Sequence, residues 1–133
     1  MAALNNSRAR RATGETTNMS QPVIDAATLE QLVANTDRDF VAELLTTYLD
    51  DSPRLLTDMR QALAGGSAPN FQRAAHSLKS NSASVGAMGL SAQAKELEML
   101  GRAGQLEGAA EKLDTLAAAY AQVEAALRAW GNA

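Results

Sequence analysis

Ala74-Ala75-His76-Ser77-Leu78-Lys79-Ser80-Asn81-Ser82-Ala83-Ser84-Val85-Gly86-Ala87 decides how this chain reads, because its apolar and small residues recur at helical spacing. With Phe71 just before it, the run places Phe71, Ala74, Ala75, Leu78, Ser82 and Val85 on one stripe of a 3.6-residue helix. His76 falls roughly 160° around the axis from Leu78, by the step of about 100° per residue. The imidazole therefore points away from the core. Gln72 stands one turn before it, and Lys79 and Ser80 follow at i+3 and i+4, within side-chain reach on a helix surface. Gly86 tolerates left-handed backbone angles and ends the element.

The same periodicity extends outward in both directions. Asp25 can cap a short helix that carries Leu29, Leu32 and Val33 and ends near Asn35. A long element over about residues 38–64 carries Phe40, Val41, Leu44, Leu45, Tyr48 and Leu49, then Leu55, Leu56, Met59 and Leu63. A kink or short break is expected near 51–53, with Asp51 and Ser52 capping a new start and Pro53 at its first position. Gly65-Gly66 closes it, and the His76 helix begins at Ser67 or Pro69. A further helix runs from about Gly89 to Arg102, with Leu90, Ala94, Leu97 and Leu100 inward, and Gly101 and Gly104 bracket the next turn. The last helix spans roughly 106–129. Short glycine-bearing connections between long amphipathic helices imply antiparallel neighbours. The predicted fold is all-α, an antiparallel up-down-up-down four-helix bundle with a short additional N-terminal helix over residues 22–133. Residues 1–21 are small, polar and aperiodic, and read as a disordered tail. Met59, Met88 and Met99 read as core filler, and Trp130 as a cover for one bundle end.

Composition narrows the function. Hydrophobic residues make up 46% of the 133 positions but aromatic ones only 4%, which favours alanine- and leucine-rich helix over strand. A net charge of −3 argues against nucleic acid as a partner, since phosphate binding needs clustered lysine and arginine. No apolar stretch nears the roughly 20 residues that a membrane span requires, so a cytoplasmic protein is expected. The absence of cysteine removes thiolate chemistry and cysteine metal sites, and one histidine cannot assemble a metal centre. Asp50-Asp51 lacks the spaced ligand loop and glycine of a cation site, so no metal and no cofactor are expected. No phosphate-binding glycine loop is present either. A hydrolytic triad is disfavoured: Ser77 points elsewhere on the helix, and one helix face offers no oxyanion hole.

Taken alone, one exposed histidine on a helix reads as an ordinary surface residue; its lysine and serine neighbours also suit phosphoryl carriage. An uncharged imidazole is nucleophilic through one ring nitrogen, and a cation and a hydroxyl one turn away can receive a phosphoryl group's charge and oxygens. Without an ATP site, the group must come from another protein.

The string His76-Ser77-Leu78-Lys79-Ser80-Asn81-Ser82-Ala83-Ser84-Val85-Gly86-Ala87, followed by Leu90 and Leu97-Glu98, resembles the histidine phosphotransfer (HPt) family of multistep two-component phosphorelays. That family has His-x-Leu-Lys-Gly, then small residues, a Gly-Ala-like turn and a helix with a Leu-Glu-like pair. The resemblance covers residues 22–130 and departs at Ser80, where the family often has glycine. It implies a carrier, not an enzyme, with His76 as phosphoacceptor. Lys79 would stabilise phosphoryl charge, Ser80 would offer a hydrogen bond and Glu98 would orient the ring. Gln72, Arg73, Ala83, Gly86 and Ala87 would belong to a docking surface. Partners would be response-regulator receiver domains, which bring their own Mg²⁺, and a hybrid sensor histidine kinase. The carrier itself would be a monomer. The competing reading is a helical interaction module that binds receivers or kinases without accepting phosphate.

Overall fold

The first three helices begin where the sequence supplies a side-chain cap. The computed structural model describes residues 23–132, so the expected tail over 1–21 lies outside the described residues. Five helices follow in order: α1 (Ala26–Asn35), α2 (Arg38–Gly65), α3 (Ala68–Ser84), α4 (Met88–Arg102) and α5 (Ala109–Gly131). Asp25 accepts from the Ala27 amide at 3.2 Å, Asp37 from Phe40 at 2.7 Å, and Ser67 from Asn70 at 3.4 Å. These bonds satisfy amide groups that have no partner inside the first helical turn. At the other end of α2, Gly66 adopts φ 69°, a left-handed exit.

α3 packs against α2 and α4, and α5 closes the ring by packing against the same two helices; α1 lies on α2. This is the expected up-down-up-down bundle. The stripe anticipated on the histidine helix is the one that faces inward: Phe71, Ala74, Ala75, Leu78, Ser82 and Val85 are all buried. They meet Val41, Leu45 and Met59 of α2, Leu90 and Leu97 of α4, and Leu113, Leu116 and Leu127 of α5. A fully buried leucine contributes about 1.5–3 kcal/mol, against about 0–1 kcal/mol for an exposed ion pair such as Arg60–Asp114. The core, not the surface charge, holds the bundle.

Several expectations are corrected. α2 runs unbroken through Pro53, and neither Asp51 nor Ser52 caps a new start. The buried Ser52 hydroxyl instead donates back to the Tyr48 carbonyl at 2.7 Å, so it serves the helix it was expected to interrupt. α5 begins at Ala109, later than expected, because Gly108 has φ 80° and no helix can pass through that conformation. Gly104, with φ 70°, makes the turn after α4, whereas Gly101 lies inside the helix. Met88 and Met99 are not core: they stand 50% and 49% exposed. Eleven positions apart, they fall within about 20° on the outer stripe of α4. Met59 is buried as expected, and Trp130 packs at the bundle end with the Arg38 guanidinium 4.6 Å from its ring centre.

One polar contact crosses the core. The Tyr48 and Ser82 hydroxyls meet at 2.8 Å, linking α2 to α3, and Tyr48 is tilted against Tyr120 with ring centres 6.1 Å apart. Burial raises the Tyr48 pKa and pushes that of Tyr120 up to about 12, so both phenols stay protonated. Tyr48→Phe leaves the Ser82 hydroxyl without its partner and is expected to cost about 1–3 kcal/mol in chemical denaturation. Adding Ser82→Ala removes the stranded group and should recover much of that loss; a double variant no better than the single one would contradict this account.

Candidate functional site

His76 stands at mid-length on α3 with its side chain 58% exposed, as its place opposite Leu78 requires. Beneath it, from the neighbouring helix, comes Glu98. That carboxylate is only 3% exposed and has three partners. His76 Nδ1 lies 2.8 Å from Glu98 Oε2, Lys79 Nζ lies 2.8 Å from Oε1, and Arg102 Nη2 reaches Oε2 at 3.2 Å. A second tie joins the two helices beside the site, where the Ser91 hydroxyl donates to the Lys79 carbonyl at 2.8 Å.

The electrostatics settle which ring nitrogen is available. The hydrogen bond from Lys79 holds the Glu98 carboxyl below its usual pKa, against the opposing effect of burial, and the bond to His76 adds to it. Glu98 is therefore an ionised acceptor. A carboxylate can only accept, so Nδ1 carries a proton toward Glu98, and in the uncharged ring the lone pair is then on Nε2. With Nδ1 turned to the buried carboxylate, Nε2 is the nitrogen left for solvent or a visiting group.

The other expected residues divide. Lys79 is half-buried on the α4 side of the ring and bound to Glu98, a tie not foreseen from spacing on one helix. Ser80 is exposed one turn beyond His76, and its carbonyl accepts from Ser84 at 3.1 Å. Gln72 and Ala83 are half-buried on the same helix face, and Arg73 is exposed and bonded to Asn70. Gly86 and Ala87, expected on the docking surface, are buried. The Asp25 amide donates to the Gly86 carbonyl at 2.8 Å, and a Cβ at Gly86 would come within 2.8 Å of the Asp25 carbonyl oxygen. The start of α1 therefore covers Gly86.

Arg102 was not anticipated; its signal was the i, i+4 spacing from Glu98. Among the described residues no group of three or more His, Cys, Asp or Glu side chains could hold a metal ion, and no helix is long and apolar enough to cross a membrane.

A family model for the Hpt domain matches residues 43–126, well over half of the chain. The chain belongs to the Hpt domain family. Among curated proteins, histidine-containing phosphotransfer protein 4 of Arabidopsis thaliana is 36% identical to this Hpt domain over 83 residues. That match covers 60% of this chain and 65% of the plant protein's length. Among solved structures, the crystal structure of histidine-containing phosphotransfer protein B from Pseudomonas aeruginosa PAO1 superposes with a TM-score of 0.79 at 30% identity. It covers 84% of this Hpt domain, which spans 96% of that chain.

Proposed function

We propose that this Hpt domain is a phosphorelay carrier that accepts a phosphoryl group on Nε2 of His76 from a receiver aspartate and passes it to a second receiver. The observation that carries the reading is the His76 Nδ1–Glu98 contact at 2.8 Å, which leaves Nε2 outward with its lone pair free. In the transfer, Nε2 attacks phosphorus in line, the N–P bond forms as the acyl phosphate P–O bond breaks, and the receiver recovers its aspartate carboxylate. The ring becomes cationic as the bond forms, and the Glu98 carboxylate stabilises that charge through Nδ1–H. Lys79 turns from Glu98 toward the phosphoryl oxygens, and the exposed Ser80 hydroxyl offers them a hydrogen bond. Mg²⁺ belongs to the receiver's own acidic site. Onward transfer is the same step reversed against another aspartate.

Gln72, Arg73 and Ala83, on the same helix as His76, form the part of the docking surface that this domain contributes. The partners are receiver domains of response regulators and of a hybrid sensor kinase, met in the cytoplasm by a monomer whose leucine-rich core is enclosed within its own bundle.

The test is incubation with a panel of phosphorylated receivers and Mg²⁺, followed by measurement of acid-labile, base-stable phosphate on the domain. Uptake supports the carrier; no uptake from any receiver that binds the domain leaves an interaction module instead. Lys79→Ala is expected to slow uptake roughly 10²- to 10³-fold. Glu98 keeps His76 and Arg102 as partners in that variant, so stability should fall by only about 1.5–3 kcal/mol. An unchanged transfer rate would remove Lys79 from the mechanism.

A further inference from the structure

The contact that decides how far α4 stands from α3 is made by a residue with no side chain. Gly101 is buried inside α4 with ordinary helical backbone angles, so backbone conformation gives no reason for glycine at this position. Space gives the reason. A Cβ at Gly101 would lie 2.9 Å from each of Gln72 N, Cα and Cβ, closer than real Cβ contacts come. Two of those atoms are backbone, which cannot swing aside as a side-chain end can. Any larger residue must therefore move one helix away from the other.

The position of this contact matters for the ring. Gln72 lies one turn before His76 on α3, and Glu98 lies one turn before Gly101 on α4. The two helices run antiparallel, so the Gly101–Gln72 approach is the adjacent rung to the His76–Glu98 contact. A separation of a few tenths of an ångström at one rung opens the next. The Nδ1–Oε2 distance of 2.8 Å has little slack before the bond weakens. Gly89, on the same helix, is the internal comparison: a Cβ there meets nothing within 4 Å.

We infer that Gly101 is a positioning residue for phosphoryl acceptance: by admitting α4 against the backbone of Gln72, it sets the reach of Glu98 and so fixes which nitrogen of His76 carries the proton. The inference rests on the carrier reading above and extends it to a residue that never touches the phosphoryl group.

The decisive measurement is the tautomer of the ring. His76 is the only histidine in the chain, so one set of imidazole ¹⁵N resonances, recorded at alkaline pH, reports it without ambiguity and without any partner. The expected wild-type spectrum is that of the Nδ1–H form. Gly101→Ala should remain helical by circular dichroism, shift toward the Nε2–H form, and take up phosphoryl groups roughly ten- to a hundredfold more slowly. Gly89→Ala should leave the spectrum unchanged. A folded Gly101→Ala variant with an intact Nδ1–H spectrum overturns the inference and leaves the carrier reading standing. A wild-type domain that accepts no phosphoryl group defeats the carrier reading, whatever the spectra show.

Should Gly101→Ala fail to fold, Glu98→Asp decides the matter. It keeps the glycine contact and draws the carboxylate back by one methylene. Loss of the Nδ1–H form in that variant supports a requirement for reach, and its full retention overturns the inference.

Discussion

His76→Gln is expected to take up no phosphoryl group from any receiver that labels the wild-type domain. The chain holds one histidine and no cysteine, so no second imidazole or thiolate can take over the N–P bond. Glutamine is polar and helix-compatible, and its amide N–H can still donate to Glu98. The ring is more than half exposed, at 58%, so little packing is lost, and the stability change should stay within about 1 kcal/mol. Thermal unfolding and receiver binding close to wild type, together with absent label, would isolate the chemistry from the fold. Acid-labile label remaining on His76→Gln would sink the assignment.

The second large effect is at Glu98, and it has two readouts. Glu98→Ala removes both the orientation of the ring and the charge that stabilises its cationic form, and should slow phosphoryl uptake about 10²- to 10⁴-fold, the range in which a positioned acid or base acts. Glu98→Gln separates the two contributions. Its carbonyl oxygen can still accept from Nδ1–H, but the negative charge is gone, so about a tenfold loss is expected. Equal rates for wild type and Glu98→Gln would show that charge plays no part.

The stability readout has a definite sign. Lys79 and His76 hold the folded-state pKa of Glu98 below its ordinary value of 4.5. Between the folded and unfolded values, the unfolded chain binds more protons than the folded one. Unfolding free energy therefore rises with pH through that window, is fully present above 4.5, and is lost as acid protonates the folded carboxyl. Denaturation midpoints measured from neutral pH downward should show this slope in wild type and a flatter one in Glu98→Gln. Parallel slopes would contradict it.

What could be read from the residues alone follows from what a single helix determines. Phe71, Leu78 and Val85 share a stripe whatever lies beside them, so the inward face of α3 and the exposure of His76 were legible. Asp25, Ser67 and Gly66 act within a few residues, so several boundaries were legible too. The misses lie where a distant segment arrives. Gly86 and Ala87, assigned to a docking surface by the resemblance, are buried, with the start of α1 hydrogen-bonded to Gly86. Met88 and Met99 looked like core by residue type, but the rotation of α4 that carries Leu90, Leu97 and Glu98 inward turns them out. Pro53 suggested a break, yet the packing of α2 against α3 and α5 carries the helix through it. Lys79 and Arg102 were each visible on their own helix, whereas their meeting at one carboxylate belongs to the packing of two.

In the proposed transfer that shared carboxylate would work as a counterpoise. One ammonium cannot be held fully by two anions at once. On the proposed mechanism, a Lys79 that leaned toward an arriving phosphoryl oxygen would leave Oε1 of Glu98 without its closest cation. The carboxylate's unbalanced charge would then fall more heavily on the Nδ1–H beside Oε2, at the moment the ring started to become cationic. Release would reverse the lever: as the phosphoryl group departed, the lysine would swing back to Glu98 and the ring's claim on the carboxylate would relax.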